Sequence, residues 1–129
     1  SRYREALLVR CAGRLVITAD QDKCLLIYPQ PDWEPIQQKL MSLSSLNPRI
    51  RDLQRRLIGY AEDTDMDAAG RVLVSAALRD FAALGKNVVL VGQGNKFELW
   101  DTEKWEQVLA RGTGFSDGDL PPELEGFSL

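Results

Sequence analysis

The sequence contains no histidine, only two cysteines, and no apolar run approaching the length of a membrane span. The first absence removes Ser-His and Cys-His nucleophile pairs and imidazole metal ligation, so any catalysis would rest on carboxylates and lysines alone. Cys11 falls near a helix end and Cys24 in an apolar strand. Two scattered thiols in a chain of this size point to reduced, buried residues of a cytoplasmic protein, not to a disulfide framework. A bilayer-crossing helix needs roughly 18–20 consecutive apolar residues, and none is present. The start, Ser1-Arg2-Tyr3-Arg4-Glu5, has no secretory pattern. It also lacks a Met and reads as cut from a longer chain.

What is present suits a small folded unit. Hydrophobic residues make up 44% of the chain, enough for a core, and the 27% charged content argues against wholesale disorder. The net charge of −3 is unevenly spread. Residues 112–129 hold Asp117, Asp119, Glu123 and Glu125 and no basic residue, and without them residues 1–111 carry +1. Arg2, Arg4, Arg10 and Arg14 crowd the start, and Arg49, Arg51, Arg55 and Arg56 crowd a second stretch. The global sign therefore does not exclude a local basic face.

Two aromatic landmarks recur at a separation of 72 residues: Tyr28-Pro29 followed by Trp33-Glu34, and Trp100-Asp101 followed by Trp105-Glu106. Upstream, Arg14-Leu15-Val16-Ile17 matches Asn87-Val88-Val89-Leu90 at an offset of 73, and Arg4-Glu5 matches Arg79-Asp80 at 75. Ordered matches at a nearly fixed period mark an internal duplication. Each copy reads as a short helix (Arg2–Arg10; Ala76–Leu84), a β-hairpin and a closing helix. Leu15–Thr18 and Cys24–Tyr28 flank Asp20-Gln21-Asp22, while Val88–Val91 and Phe97–Trp100 flank Gly92-Gln93-Gly94-Asn95. Ser75 is expected to cap one short helix and Gly85 to end it. Asp32 and Asp101 are expected to cap the closing helices, whose apolar spacing runs Trp33, Ile36, Leu40 and Trp105, Val108, Leu109. Between the copies, Asn47-Pro48 starts a helix ending near Gly59, with Ile50, Leu53, Leu57 and Tyr60 on its apolar side and most of its arginines on the others. The expected division is therefore residues 1–45 for the first repeat, 46–62 for the inter-repeat helix, 63–111 for the second repeat and 112–129 for an acidic tail. Copy two opens with Asp67-Ala68-Ala69-Gly70-Arg71-Val72-Leu73-Val74-Ser75, an Asp-led turn entering a short strand. Copy one has no counterpart, because Ser1 already aligns near Ser75.

Two motifs fail on inspection. Asp63-x-Asp65-x-Asp67 resembles the start of a calcium loop, but the positions needing Gly and Glu hold Ala68 and Val74, leaving a solvated acidic loop as the expectation. Gly92-x-Gly94 is followed by a strand instead of a helix, which makes it a hairpin turn and not a dinucleotide site. Trp33, Trp100 and Trp105 sit at helical or strand spacing beside other apolar residues and read as core or interface anchors in preference to base-stacking platforms. Asp67-x-x-Gly70-Arg71 is more informative. Gly permits a left-handed turn, Asp can staple it, and Arg71 would stand at a loop tip, ready for phosphates or base edges.

Arg2-Tyr3-Arg4, Cys24-Leu25-Leu26-Ile27-Tyr28-Pro29, Trp33-Glu34, Gln54-Arg55, Asp67-x-x-Gly70-Arg71 and Val91-Gly92-Gln93-x-Asn95-Lys96-Phe97-Glu98-Leu99-Trp100 together resemble the MraZ family of bacterial transcriptional regulators, nearly to Arg111. The resemblance implies an α+β fold: two tandem AbrB-like, swapped-hairpin repeats of β-hairpin and helix forming a small β-barrel core with peripheral helices. It implies a homo-oligomeric ring that binds short direct repeats of double-stranded DNA upstream of the division and cell-wall gene cluster. Each copy of a family member carries an Asp-x-x-x-Arg motif whose arginine serves DNA; here only Asp67 and Arg71 match, and the first motif would precede Ser1. The expected DNA-binding residues are Asp67, Gly70, Arg71, Arg2 and Arg4, with no cofactor, metal, membrane or small-molecule substrate, in a cytoplasmic, nucleoid-associated protein that is not an enzyme. The competing expectation is a non-catalytic structural or protein-interaction ring, which would assemble without salt-dependent DNA retention.

Overall fold

The computed structural model describes residues 13–111. Five strands and four helices follow in the order β1 (Arg14–Ala19), β2 (Leu25–Pro29), α1 (Gln30–Met41), α2 (Pro48–Leu57), β3 (Glu62–Asp65), α3 (Ala76–Phe81), β4 (Val88–Gly92), β5 (Phe97–Asp101) and α4 (Thr102–Ala110). The strands form one antiparallel sheet in the order β3-β1-β2-β5-β4. The fold is α+β, as expected, and each copy contributes a hairpin followed by a helix.

The sheet joins the copies symmetrically. In the β2–β5 ladder Leu25 faces Leu99, Leu26 faces Glu98 and Ile27 faces Phe97. Leu26 and Glu98 are equivalent residues of the two copies, 72 apart, so the register is unchanged when the copies are exchanged. The aromatic landmark is realised in both: Tyr28 and Trp33 lie 5.5 Å apart at 46°, and Trp100 and Trp105 lie 5.8 Å apart at 49°. Such tilted pairs add to the burial each ring contributes.

Copy one is covered on both faces, which is why β1 and β2 are apolar almost throughout. Leu15, Ile17, Leu25 and Ile27 join Met66, Leu78, Ala82 and Leu99 on one face. Val16, Leu26 and Tyr28 join Trp33 and Leu40 on the other, backed by Leu53 and Leu57 of α2. The period-2 alternation of side chains thus feeds two cores from one pair of strands. Thr18, the single buried polar residue among the described residues, lies on the α2 side, and its hydroxyl donates to the Leu57 carbonyl at 2.6 Å. Gln54 does the same for α1: its amide donates to the carbonyls of Leu40 at 2.9 Å and Leu43 at 3.2 Å. Both side chains satisfy carbonyls that a helix end leaves without intrahelical partners. Gly59 closes α2 where no side chain fits, since a Cβ there would sit 2.1 Å from the Arg55 carbonyl oxygen.

Several local expectations hold and others are corrected. Asn47 caps α2 by accepting from the Arg49 N–H at 2.9 Å, and Ser75 caps α3 by accepting from the Leu78 N–H at 3.3 Å. Asp32 does not cap α1. The helix begins at Gln30, because Pro31 already presents a helical φ in the first turn, and Asp32 lies within that turn. Asp101 makes no capping bond to α4; its carboxylate accepts from the Gly85 N–H at 2.8 Å instead. That bond holds the chain turning out of α3, which ends at Phe81, and Ala83, not Gly85, takes the left-handed φ of 50°. Leu109 is 46% exposed, so α4 buries less than its spacing suggests. The stretch around Asp63 and Asp65 is not a loop but the edge strand β3, and the short strand expected after the Asp67 turn does not form, since residues 71–75 join no ladder. Their alternation survives: Val72 and Val74 pack on the core while Leu73 is 84% exposed. The helix expected over Arg2–Arg10 lies outside the described residues.

Candidate nucleic-acid interface

The Asp67–Arg71 turn sits at one end of the sheet, directly after β3. It is anchored from behind: Arg14 faces Asp65 across the β1–β3 ladder, and the Met66 N–H donates to the Gly13 carbonyl at 2.7 Å with the Met66 side chain in the core. The turn then closes on itself. Gly70 N–H donates to the Asp67 carbonyl at 2.9 Å, and Asp67 N–H donates to the Arg71 carbonyl at 3.0 Å. Gly70 has φ of 85°, a conformation costly for any residue with a Cβ.

Asp67 is the staple that the sequence suggested. Its Oδ1 accepts from the backbone N–H groups of Ala69 at 3.0 Å and Arg71 at 2.8 Å. Its Oδ2 accepts from Nε of the Arg71 guanidinium at 2.8 Å. An aspartate bonding the backbone two residues on is the usual way such a turn is stabilised. The backbone N–H of Arg71, and then its guanidinium, hold the Asp67 carboxyl below the ordinary aspartate value of 3.8. The carboxylate is therefore charged throughout the neutral range.

The consequence lies in what Arg71 has left. Nε is consumed by Asp67, and the two Nη groups meet no partner among the described residues. The side chain is 83% exposed. A guanidinium held by Nε presents its Nη pair end-on, as a planar fork suited to a phosphate or to two acceptors on a base edge. Asp67, Gly70 and Arg71 are thus brought together as one unit. Arg2 and Arg4 lie outside the described residues. Arg14, one of the arginines crowding the start of the sequence but not among the expected DNA-binding residues, stands exposed at the base of this turn. Its place depends on β3 pairing with β1, a nonlocal contact with no local sequence signal.

The surroundings are polar and shallow. An open groove of about 250 Å³ beside the turn is lined by Arg14, Leu15, Gln30, Asp63, Thr64 and Asp65. Among the described residues no group of His, Cys, Asp and Glu is arranged to hold a metal ion, and no helix is long and apolar enough to cross a membrane. Cys24 is buried, and burial followed by the nearby Asp20 carboxylate pushes its thiol far above the ordinary range, so it is no nucleophile.

These features define a class: two tandem hairpin-and-helix units joined through their second strands, presenting an arginine on a stapled turn. A family model described as "MraZ protein, putative antitoxin-like" matches the chain twice, over residues 1–56 and 57–119. The proteins named "Transcriptional regulator MraZ" from Nitrosospira multiformis, Thiobacillus denitrificans and Nitrosomonas europaea are 63%, 60% and 59% identical to it over 129 residues. Each alignment covers 100% of this chain and 87% of the relative. The chain belongs to the MraZ family of transcriptional regulators.

Proposed function

We propose that this protein regulates transcription by sequence-specific binding to double-stranded DNA, without catalysis, at short direct repeats upstream of the bacterial division and cell-wall gene cluster. The observation that carries the reading is the stapled turn: Arg71 is oriented by Asp67, exposed, and left with its Nη fork unengaged by described residues. Asp67 and Gly70 position; Arg71 contacts. Arg2 and Arg4 add backbone contacts in this reading.

A single turn offers few contacts, and the acidic strand behind it works against a polyanion. A homo-oligomeric ring answers both points. Each further engaged subunit binds at high effective concentration, so weak single sites sum to useful affinity on repeats. Phosphate contacts supply salt-sensitive affinity and base-edge contacts supply sequence preference. The setting is the cytoplasm, at the nucleoid. The test is a gel shift on a duplex carrying the region upstream of that gene cluster, against a scrambled duplex, at low salt. Retention of the first alone, lost in Arg71→Ala with the fold intact, is the expected result. Assembly by light scattering with no salt-dependent retention of either duplex would favour a protein-interaction ring instead.

A further inference from the structure

The hairpin turn Gly92-Gln93-Gly94-Asn95-Lys96 shares an end of the sheet with Arg71. Glu62, Ile17, Ile27, Phe97 and Gly92 form one row across β3, β1, β2, β5 and β4. From that row β3 runs on through Asp65 into the Asp67 turn. On the same side of the row, Gly92 and Phe97 run into the tip formed by residues 93–96. Both turns therefore leave the sheet at one end. β3 and β5 are three strand spacings apart, a lateral distance of about 14 Å.

The chemistry of this tip differs from that of its counterpart in copy one. At the repeat offset of 72, Asp20-Gln21-Asp22-Lys23-Cys24 corresponds to Gly92-Gln93-Gly94-Asn95-Lys96. Two aspartates give way to two glycines, so a turn with two acids and one base becomes a turn with one base and no acid. The acidic counterpart sits at the opposite end of the sheet, beyond the Ala19–Leu25 pair. The acids are thus missing at the end that presents Arg71. Lys96 is held in place there: its Nζ stands 6.0 Å from the centroid of the Tyr28 ring, within cation–π reach, and it pairs with no carboxylate among the described residues. Gln93 N–H donates to the Lys96 carbonyl at 2.8 Å, which closes the tip and leaves the Gln93 and Asn95 side chains exposed. A Cβ on Gly94 would meet no atom within 4 Å, so the tip is open to close approach.

We propose that the 92–96 turn is a second DNA contact, one that holds a phosphate backbone while Arg71 engages the duplex across the adjacent groove. The inference rests on the DNA-binding reading above and adds to it the residues that fix the protein's register. The lateral separation of the two turns is close to the width of the B-DNA major groove, about 12 Å. The two turns can therefore rest on the two strands that border one groove. Lys96 supplies a point charge for phosphate, and the Gln93 and Asn95 amides donate to phosphate oxygens. Such contacts position the protein without reading sequence.

The experiment titrates the full chain into labelled repeat-bearing and scrambled duplexes over a salt series, read by anisotropy. The proteins are the parent, Lys96→Gln, Asn95→Asp and, as a control at the opposite end of the sheet, Lys23→Gln. Thermal melts and sedimentation establish that all four fold and assemble alike. Lys96→Gln should weaken binding to both duplexes by a similar factor, about tenfold or more, as the loss of a charged hydrogen bond requires. Its slope of log affinity against log salt should be shallower by about 0.9 per engaged subunit, with the preference for the repeats kept. Asn95→Asp, which adds an acid at the exposed tip without changing its shape, should also weaken binding to both. Lys23→Gln should stay within about twofold of the parent. A parent that binds the repeats while Lys96→Gln matches it in affinity and slope overturns this contact and leaves the Arg71 reading standing. Lost sequence preference with an unchanged slope also overturns it, because Lys96 would then read bases. A parent that binds neither duplex overturns both.

Discussion

The hydroxyl of Thr18 closes the end of α2, and removing it tests how the two layers of copy one are joined. Thr18 is fully buried on β1, and its donation to the Leu57 carbonyl at 2.6 Å is the contact that gives this helix-end oxygen a partner. The next candidate donor, the Ala61 N–H, is already given to the Ile58 carbonyl at 3.2 Å. Thr18→Val keeps the branched shape and deletes the donor, so packing should survive while the Leu57 oxygen is stranded beside an apolar core. Leaving a buried acceptor unsatisfied costs about 1–3 kcal/mol. For a domain of this size that corresponds to a fall in Tm of about 4–12 °C. Thr18→Ser separates the terms: it keeps the bond and loses one buried methyl, a cost of about 1 kcal/mol. Urea titrations followed by tryptophan fluorescence should show a lower midpoint with an unchanged slope for both, the valine variant lower than the serine. A valine variant as stable as the parent, or more stable, would refute the reasoning.

Four further outcomes follow from the same structure. Asp67→Asn keeps the side-chain oxygen but removes the charge that holds Arg71 Nε, so DNA affinity should drop about 2–10-fold in anisotropy titrations, the equivalent of one hydrogen bond, with Tm nearly unchanged. The lowered pKa of Asp67 sets a sign for pH: whatever the staple contributes is fully present above the ordinary value of 3.8 and is lost as pH falls through the lower folded value. Arg71 presentation, read by NMR of its Nε–H, should therefore be flat from pH 6 to about pH 5 and fade only in stronger acid. Gly70→Ala forces a Cβ into a φ of 85° and should destabilise the protein by about 1–2 kcal/mol in urea titrations. Cys24, buried and held as the thiol, should resist a thiol-titrating disulfide reagent at pH 8 in the native state and react once denatured.

Much of this fold was legible because its signals are local. The hairpin turns, the Asn47-Pro48 helix start and the Ser75 cap declare themselves within a few residues, and the 72-residue aromatic repeat shows as two short local motifs of the same order and spacing. The Asp67 staple was legible too, since Asp, Gly and Arg at that spacing have few other uses. The pairing of β2 with β5 was not derivable from the residues, because it joins segments some 70 residues apart and depends on both hairpins at once. β3 was misread for a physical reason. Glu62-Asp63-Thr64-Asp65 has poor strand propensity, and only its position at an edge, where charge is an advantage, makes it a strand. Residues 72–74 erred in the opposite sense, with a strand's alternation but no neighbouring ladder. Arg14 was hidden by the same nonlocality, since nothing in its own neighbourhood places it beside the turn.

The central claim, that Arg71 is held by Asp67 in order to contact DNA, is tested most directly by salt. Log affinity for the repeat-bearing duplex should fall linearly with log salt, and each phosphate contact contributes about 0.9 to the slope. Titrations of the parent and Arg71→Ala over a salt series, with sedimentation establishing that both assemble alike, isolate this one side chain. The account predicts weaker binding by Arg71→Ala with either a slope shallower by about one unit per engaged subunit, if the fork holds phosphate, or an unchanged slope with preference over the scrambled duplex lost, if it reads bases. Equal affinity, slope and sequence preference in the two proteins would contradict it.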